Sequence, residues 1–397
     1  TTLDLELQKF SIKLLKNKAG SVCVMDIYKG DIVIMASSPT FDPNKFVHGI
    51  NQKDWKQLIQ HRDKPLVNKA ISGLYPPGST IKTLVTISAL ENDVVNPKMV
   101  QQCKGHIELY GEKFHCWKKK GHGFVDMKEA IKQSCDVYFY EVARRLGVDR
   151  LSETAKKFGL GKKVLEGFLE EKQGVVPNTK WKKINIGKNW YLGETLHSGI
   201  GQGYWQTTPL QLCLVMAQIA NGGYQIKPKI ILRDKSFEGL EEFIRNEETS
   251  GENLNAIEGF IGKLKYKTLF KNQENINFVK EALFKATNEP RGTSYRSRLT
   301  KKGFIFAGKT GTSQIRKFTA LQRELEIKNV DLPYEQRDHA LFVAFAPYHD
   351  PRYAISVVIE HGGSGSSSAA PIAKQVIKKL LERHSLREVQ QIKGESV

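Results

Sequence analysis

Long apolar runs are missing from this chain. No stretch approaches the roughly 18 to 20 consecutive apolar residues of a membrane-spanning helix, and no signal peptide opens the sequence. There is no internal repeat, which excludes solenoid and propeller architectures. Cysteine is sparse, with five in 397 residues, and an odd number does not suggest a pure disulfide framework. No RNP, zinc-finger or helix-turn-helix signature accompanies the basic residues, so nucleic acid is not an expected partner. The basic residues themselves are plentiful: 61 Lys and Arg against 42 Asp and Glu give a formal charge of +19. That balance suits an anionic membrane surface or a phosphorylated substrate. With 40% hydrophobic and 26% charged residues, the composition is that of a globular protein with an ample core.

The apolar pattern divides the chain. Residues 3 to 16 read as an amphipathic helix, and GSVCVMDIYKGDIVIMASS reads as a hairpin, two β-branched runs around the turn signal YKGD. From 76 to about 220 the pattern is mostly helical, through MKEAIKQSCDVYFYEVARRLG, DRLSETAKKFG and TPLQLCLVMAQIANGG. RNEETSGENLN, at 245 to 255, reads as an exposed loop. Strands return in GFIFAGKTGTSQ, HALFVAFAP and YAISVVIEHG, the first two separated by a charged insertion at 315 to 338. AAPIAKQVIKKLLERH closes the chain as a helix, with a loose polar tail from about 385. Strands at both ends with helices between predict an α+β domain over 1–384. Its sheet is drawn from about 18–45 and 300–362, and a helical insertion spans about 76–220.

Chemistry enters with LYPPGSTIKTL. Pro76, Pro77 and Gly78 make a helix start, with Ser79 as a candidate N-cap, but a cap does not explain Lys82. A lysine in the first turn of a buried helix meets the positive end of the dipole and loses hydration. Three residues apart, Ser79 and Lys82 share a face, which is the geometry of a serine activated by a lysine. FAGKTGTSQ carries Lys309, Thr310, Gly311 and Thr312: a cation, two hydroxyls and a glycine that lets a ligand approach the backbone. IKQSCDVYF carries Ser134 and Asp136, which alone would read as a helix cap or surface pair. Ser-x-x-Lys, Ser-x-Asp and Lys-Thr-Gly nonetheless occur in that order at 79, 134 and 309. This triplet, usually with Asn closing the second motif, marks penicillin-binding proteins and serine β-lactamases.

Over nearly its whole length the chain resembles the transpeptidase domain of class B penicillin-binding proteins, most closely the penicillin-binding protein 2 subfamily of cell elongation. The segments that carry the resemblance include MASSPTFDPNKF, PLVNKAISGLYPPGSTIK, GHGFVDMKEAIKQSCDVYFYEVA, GETLHSGIGQGYWQTTPLQL, GKTGTSQ and RDHALFVAFAPYHDPRYAISVVIEHGG. Asp136 in place of Asn reads as a subfamily variant. The resemblance implies a penicillin-binding protein/serine β-lactamase-like fold, an antiparallel sheet flanked by helices. It implies a serine D,D-transpeptidase acting on peptidoglycan stem peptides that end in D-Ala-D-Ala, trapped covalently by β-lactams. It also implies an N-terminal membrane anchor and pedestal outside this sequence, a place on the periplasmic face of the inner membrane, and an elongation-complex glycan polymerase as partner. Alternatives are a D,D-carboxypeptidase or β-lactamase and a β-lactam sensor. The Glu-x-x-Leu-Asn element of class A lactamases is absent.

The roles follow. Ser79 attacks the penultimate carbonyl. Lys82 must be neutral to accept its proton, and burial, the helix N-terminus and Lys309 favour that form. Ser134 relays the proton to the leaving D-Ala. Lys309, Thr310 and Thr312 bind the terminal carboxylate, and the backbone N–H groups of Ser79 and Thr312 form the oxyanion hole that the resemblance implies. Asp136 would favour charged forms of both lysines, or hold the acyl-donor amide. HSGIGQGYW reads as a tight loop beside the active site, with Gln202 and Trp205 as packing residues. Cys103, Cys116, His122 and Cys135, separated by 12, 5 and 12 residues, form a candidate tetrahedral structural zinc set. His115 is an alternative fourth ligand, and a Cys103–Cys116 disulfide the competing arrangement. No cofactor is expected for the chemistry itself.

Overall fold

The computed structural model describes residues 1–231, 267–316, 322, 327 and 329–393. The expected loop at 245–255 and much of the 315–338 insertion lie outside the described residues. The chain opens with α1 (Leu5–Leu14), capped by the Asp4 carboxylate accepting from Leu7 N–H. The hairpin β1 (Gly20–Asp26) and β2 (Ile32–Ser38) follows. Three helices lead toward the site: α2 (Gln52–Gln60), the short α3 (Lys69–Ser72) and α4 (Lys82–Glu91).

Four short strands come next: β3 (Gln101–Cys103), β4 (His106–Leu109), β5 (Glu112–His115) and β6 (Gly123–Val125). Six helices follow: α5 (Met127–Lys132), α6 (Asp136–Leu146), α7 (Val148–Lys157), α8 (Thr179–Ile186), α9 (Leu192–Gly199) and α10 (Pro209–Ala220). The chain ends with α11 (Gln273–Asn288), β7 (Ala307–Ser313), β8 (His339–Ala346), β9 (Tyr353–Ile359) and α12 (Ala370–Lys393).

The five long strands make one antiparallel sheet in the order β2-β1-β9-β8-β7. The N-terminal hairpin thus joins the C-terminal strands, as the sequence pattern predicts. Both faces are buried, which is why these strands read as continuous apolar runs rather than alternating ones. Because successive residues point to opposite faces, Val22 and Val24 pack with α1 and α12 in one core, alongside Phe342, Val357 and Val376. Cys23, Met25, Leu341 and Val343 face α10 and the helical lobe in the other. Every residue of α10 is buried, and Pro209 at its first position follows the Thr208 cap.

Three sequence expectations change. The helical stretch from 76 to 220 contains β3–β6, paired as β3·β6 and β4·β5. Three or four residues are too few to show a period. The predicted helix through MKEAIKQSCDVYFYEVARRLG breaks between α5 and α6, where Ser134 takes φ +56°. The tail expected from 385 is helical in its backbone as far as Lys393.

Candidate active site

The end strand β7, the loop before α4 and the break between α5 and α6 meet at one place. Pro77 leads into a 3₁₀ turn over Gly78–Ile81, and the Lys82 N–H donates to the Ser79 carbonyl. This turns the Lys82 side chain inward, where it is fully buried, while Ser79 is half-buried. Gly78, at φ +52°, packs on β7 so closely that a Cβ would sit 2.4 Å from Thr312 O. A Cβ on Gly201 would lie 2.2 Å from Gly78 O, and one on Gly311 would lie 2.9 Å from Thr80 Cγ2. These glycines let three backbones touch beside Ser79.

Lys82 Nζ donates to Ser134 O at 3.0 Å, Ser134 Oγ at 3.2 Å and Asp136 Oδ1 at 2.7 Å. Among the described residues no hydrogen bond engages the Ser79 hydroxyl, an arrangement that resting active sites often show. The left-handed Ser134 backbone carries its carbonyl and its hydroxyl to the same ammonium. Asp136 starts α6 and is nearly buried. Burial pushes its carboxyl above the ordinary range, opposed by the Lys82 charge and the Trp117 N–H, with the Cys116 sulfur adding to the rise.

Lys309 is fully buried on β7, and its Nζ donates to Thr310 O at 3.1 Å. Burial, and after it the like charge of Lys82, hold Lys309 well below the ordinary lysine range, with Asp136 opposing. Lys82, and not Lys309, holds the hydrogen bond to the Asp136 carboxylate. Thr310 is nearly buried, Gly311 buried and Thr312 half-buried, and they lie opposite Phe342, Leu341 and Ala340 of β8.

The four predicted metal ligands converge. One ligand atom each from Cys103, Cys116, His122 and Cys135 lies within 4.8 Å of the others. His122 Nδ1 is 3.5 Å from both the Cys103 and Cys116 sulfurs. All five cysteines are free thiols, so the competing disulfide is not formed. His115 pairs instead with His106 across β4 and β5. Cys103 is held well below the ordinary thiol range by its sulfur neighbours Cys116 and Cys135, while Cys135 is pushed up by Cys103 and Cys116. Three sulfurs and one imidazole nitrogen at this spacing fit the donor set of a closed tetrahedral zinc site.

Two residues escaped sequence reasoning as site members. Trp117 sits in CWKKKGHG, which reads as a basic loop. Its N–H donates to Asp136 Oδ2 at 2.9 Å, and its indole N–H donates to Ser134 O at 3.0 Å and Gln133 O at 3.1 Å. The indole is still 61% exposed, so it walls the site on the motif-two side. Its place next to Cys116 was the available signal. Gln202 was read as packing, yet its side-chain amide donates to Thr312 O at 2.9 Å. Trp205 is the packing residue expected, fully buried with its indole N–H on Ser198 O.

A serine, a buried lysine and a second serine on helix ends, facing a Lys-Thr-Gly edge strand, define a serine acyltransferase class. The profile of the penicillin-binding protein transpeptidase domain matches residues 20–378, and the chain belongs to that family. It is 34% identical over 383 residues to the peptidoglycan D,D-transpeptidase MrdA of Salmonella typhimurium, covering 96% of this chain and 58% of that protein. The chain therefore spans less than two thirds of that relative's length. Among solved structures, Pseudomonas aeruginosa PBP2 in complex with WCK 5153 matches at TM-score 0.79 and 33% identity, over 95% of this chain and 77% of that one. Helicobacter pylori PBP2 in complex with MreC matches at TM-score 0.81 and 31% identity, over 96% and 63%.

Proposed function

We propose that this chain is the catalytic domain of a peptidoglycan D,D-transpeptidase, with Ser79 as nucleophile. The observation that carries the reading is the Lys82 ammonium joined to both Ser134 and Asp136 beneath the turn that presents Ser79. The carboxylate of a stem peptide ending in D-Ala-D-Ala binds at Lys309, Thr310 and Thr312. Its negative charge favours the ammonium form of Lys309, and like-charge repulsion between the two lysines then favours neutral Lys82. Substrate arrival so prepares the base.

Ser79 Oγ attacks the penultimate carbonyl carbon and its proton passes to Lys82. The oxyanion rests on the N–H groups of Ser79 and Thr312. The carbon–nitrogen bond then breaks, and D-Ala leaves with a proton returned from Lys82 through Ser134 Oγ. An amine of a second stem peptide attacks the ester, forming the cross-link and freeing Ser79. A β-lactam places a carboxylate and a strained amide in the same positions and stops at the ester.

Cys103, Cys116, His122 and Cys135 would hold a structural zinc, which supplies no step of the reaction. These residues fasten the 103–122 segment to Ser134 and Asp136. The +19 charge suits the membrane surface at the periplasmic face of the inner membrane, where an anchor outside this sequence would hold the protein. An elongation-complex glycan polymerase is the fitting partner of the whole protein.

The test is peptide mapping after labelling with penicillin, joined to a cross-linking assay on stem peptides. Label on Ser79, lost in Ser79→Ala, together with cross-linked product supports the reading. Label elsewhere overturns it, and rapid release of hydrolysed penicillin marks a β-lactamase instead.

A further inference from the structure

We propose that Gln202 is a positioning residue for the oxyanion donor on Thr312, and this rests on the reading of Ser79 as nucleophile. Among the described residues β7 ends the sheet, so one of its edges has no neighbouring strand there. Thr312 O lies on that edge, because it accepts from Gln202 Nε2 at 2.9 Å. In an antiparallel strand a residue's own N–H and C=O face the same side, so the Thr312 N–H faces the cleft too. Gly78 reports the same orientation: a Cβ there would meet Thr312 O at 2.4 Å and Thr312 N at 3.0 Å. The carbonyl beside the donor is thus occupied by a side chain from a third segment.

That segment is fastened on all sides. Gly201 at φ +72° and Gly203 at φ +80° bracket Gln202. The Gln202 N–H donates to His197 O at 2.9 Å, and Gly201 O accepts from Gly78 N–H at 3.0 Å. Upstream, Glu194 takes both the buried Lys182 ammonium and the Tyr204 hydroxyl, at 2.5 and 3.0 Å. Downstream, Tyr75 and Thr207 exchange two backbone hydrogen bonds, at 3.0 and 2.9 Å. The Gln202 side chain is 9% exposed, so its amide is ordered before a ligand arrives and costs little further entropy on binding.

Its effect is directional. An unpaired Thr312 carbonyl would face a cleft in which a negative oxygen develops, and it would be free to turn and to take a hydrogen bond from substrate or water. The Gln202 amide satisfies it and fixes the adjoining N–H on the position of the oxyanion, the kind of preorganised donor that lowers an acylation barrier. The interaction needs a hydrogen-bond donor at that point, not merely volume.

Two variants separate these requirements. In Gln202→Ala the acylation rate constant for penicillin should fall about tenfold or more, against the 10²- to 10³-fold cost of losing an oxyanion donor itself, while binding before acylation changes little. Gln202→Glu keeps the shape but sets a carboxylate against the carbonyl at neutral pH. Its rate relative to the wild-type chain should be low at pH 8 and recover toward pH 5, where the protonated carboxyl again donates. A packing role would leave that ratio flat across pH.

A flat ratio, or an alanine variant within twofold of wild type, overturns the proposal. If the alanine variant fails to fold, the isosteric glutamate variant carries the test alone. Normal labelling of Ser79 with indifferent Gln202 variants would discard only the role of Gln202. Absent labelling of Ser79 in the wild-type chain would discard the transpeptidase reading itself, and with it this inference.

Discussion

Lys82 Nζ and Asp136 Oδ1 are 2.7 Å apart, and the other oxygen of the same carboxylate accepts from the Trp117 N–H at 2.9 Å. One buried acid therefore joins Lys82, beneath the turn that carries Ser79, to the segment that carries Cys116. A carboxylate at this distance favours the charged form of its partner. Asp136→Asn should retain acylation at neutral pH, and the acid limb of its pH–rate profile should move to lower pH. Loss of acylation at every pH, with no displacement of that limb, would show that the carboxylate itself takes part.

The two lysines should respond differently to arginine. Lys82→Arg should reduce acylation by about 10²-fold or more, since a guanidinium cannot give up its proton near neutral pH. Lys309→Arg should keep measurable acylation, because a cation suffices to bind a carboxylate there. Rate constants for penicillin acylation check this, and equal losses would contradict the assignment.

Metal removal should act on the second motif at a distance. One zinc per chain is expected in protein purified without chelator, with the three cysteine ligands protected from thiol reagents. Cys135→Ser should lower Tm by several degrees, in line with losing a closed structural site. It should also slow acylation by displacing Ser134 and Asp136. Metal-free protein in which Cys103, Cys116 and Cys135 all react, with unchanged acylation, would refute the site.

His339 gives a pH dependence of stability. Its Nδ1 accepts from the His361 N–H at 3.0 Å, and its ring meets Tyr75 edge-on at 5.3 Å between centroids. Burial, helped by the His361 charge, pushes it from 6.5 down to about 4. A depressed histidine binds its proton later in the folded state than in the unfolded one. Its contribution is therefore complete above pH 6.5 and is lost as the pH falls toward 4, by up to about 3 kcal/mol. Denaturant unfolding across that window should show a smaller decline for His339→Gln than for wild type.

The sheet and the three motifs were legible for physical reasons. Strands buried on both faces leave long β-branched runs, and Ser79, Lys82, Ser134, Asp136 and Lys309 announce themselves by residue type and order. The cluster of Cys103, Cys116, His122 and Cys135 was legible because its four members lie within 33 residues, from 103 to 135. The break at Ser134 was not, since a non-glycine residue at φ +56° leaves no mark on the helical period. Nor was the difference in partners between Lys82, which reaches the Asp136 carboxylate, and Lys309, which reaches the Thr310 carbonyl. Gln202 was found as a loop residue and missed as a contact of Thr312, because 110 residues separate the two.

The meeting of Gly78, Gly201 and Gly311 bears on how this protein can change under selection. Any missense change at a glycine codon adds at least a Cβ, and at each of these positions that carbon would lie within 3.0 Å of a neighbouring atom. At Gly78 and Gly201 that atom is a backbone oxygen, and the positive φ adds strain whichever side chain arrives. The seam around Ser79 thus resists single substitutions. Variation compatible with the fold is steered to the rim, where exposed side chains can be exchanged without moving a backbone.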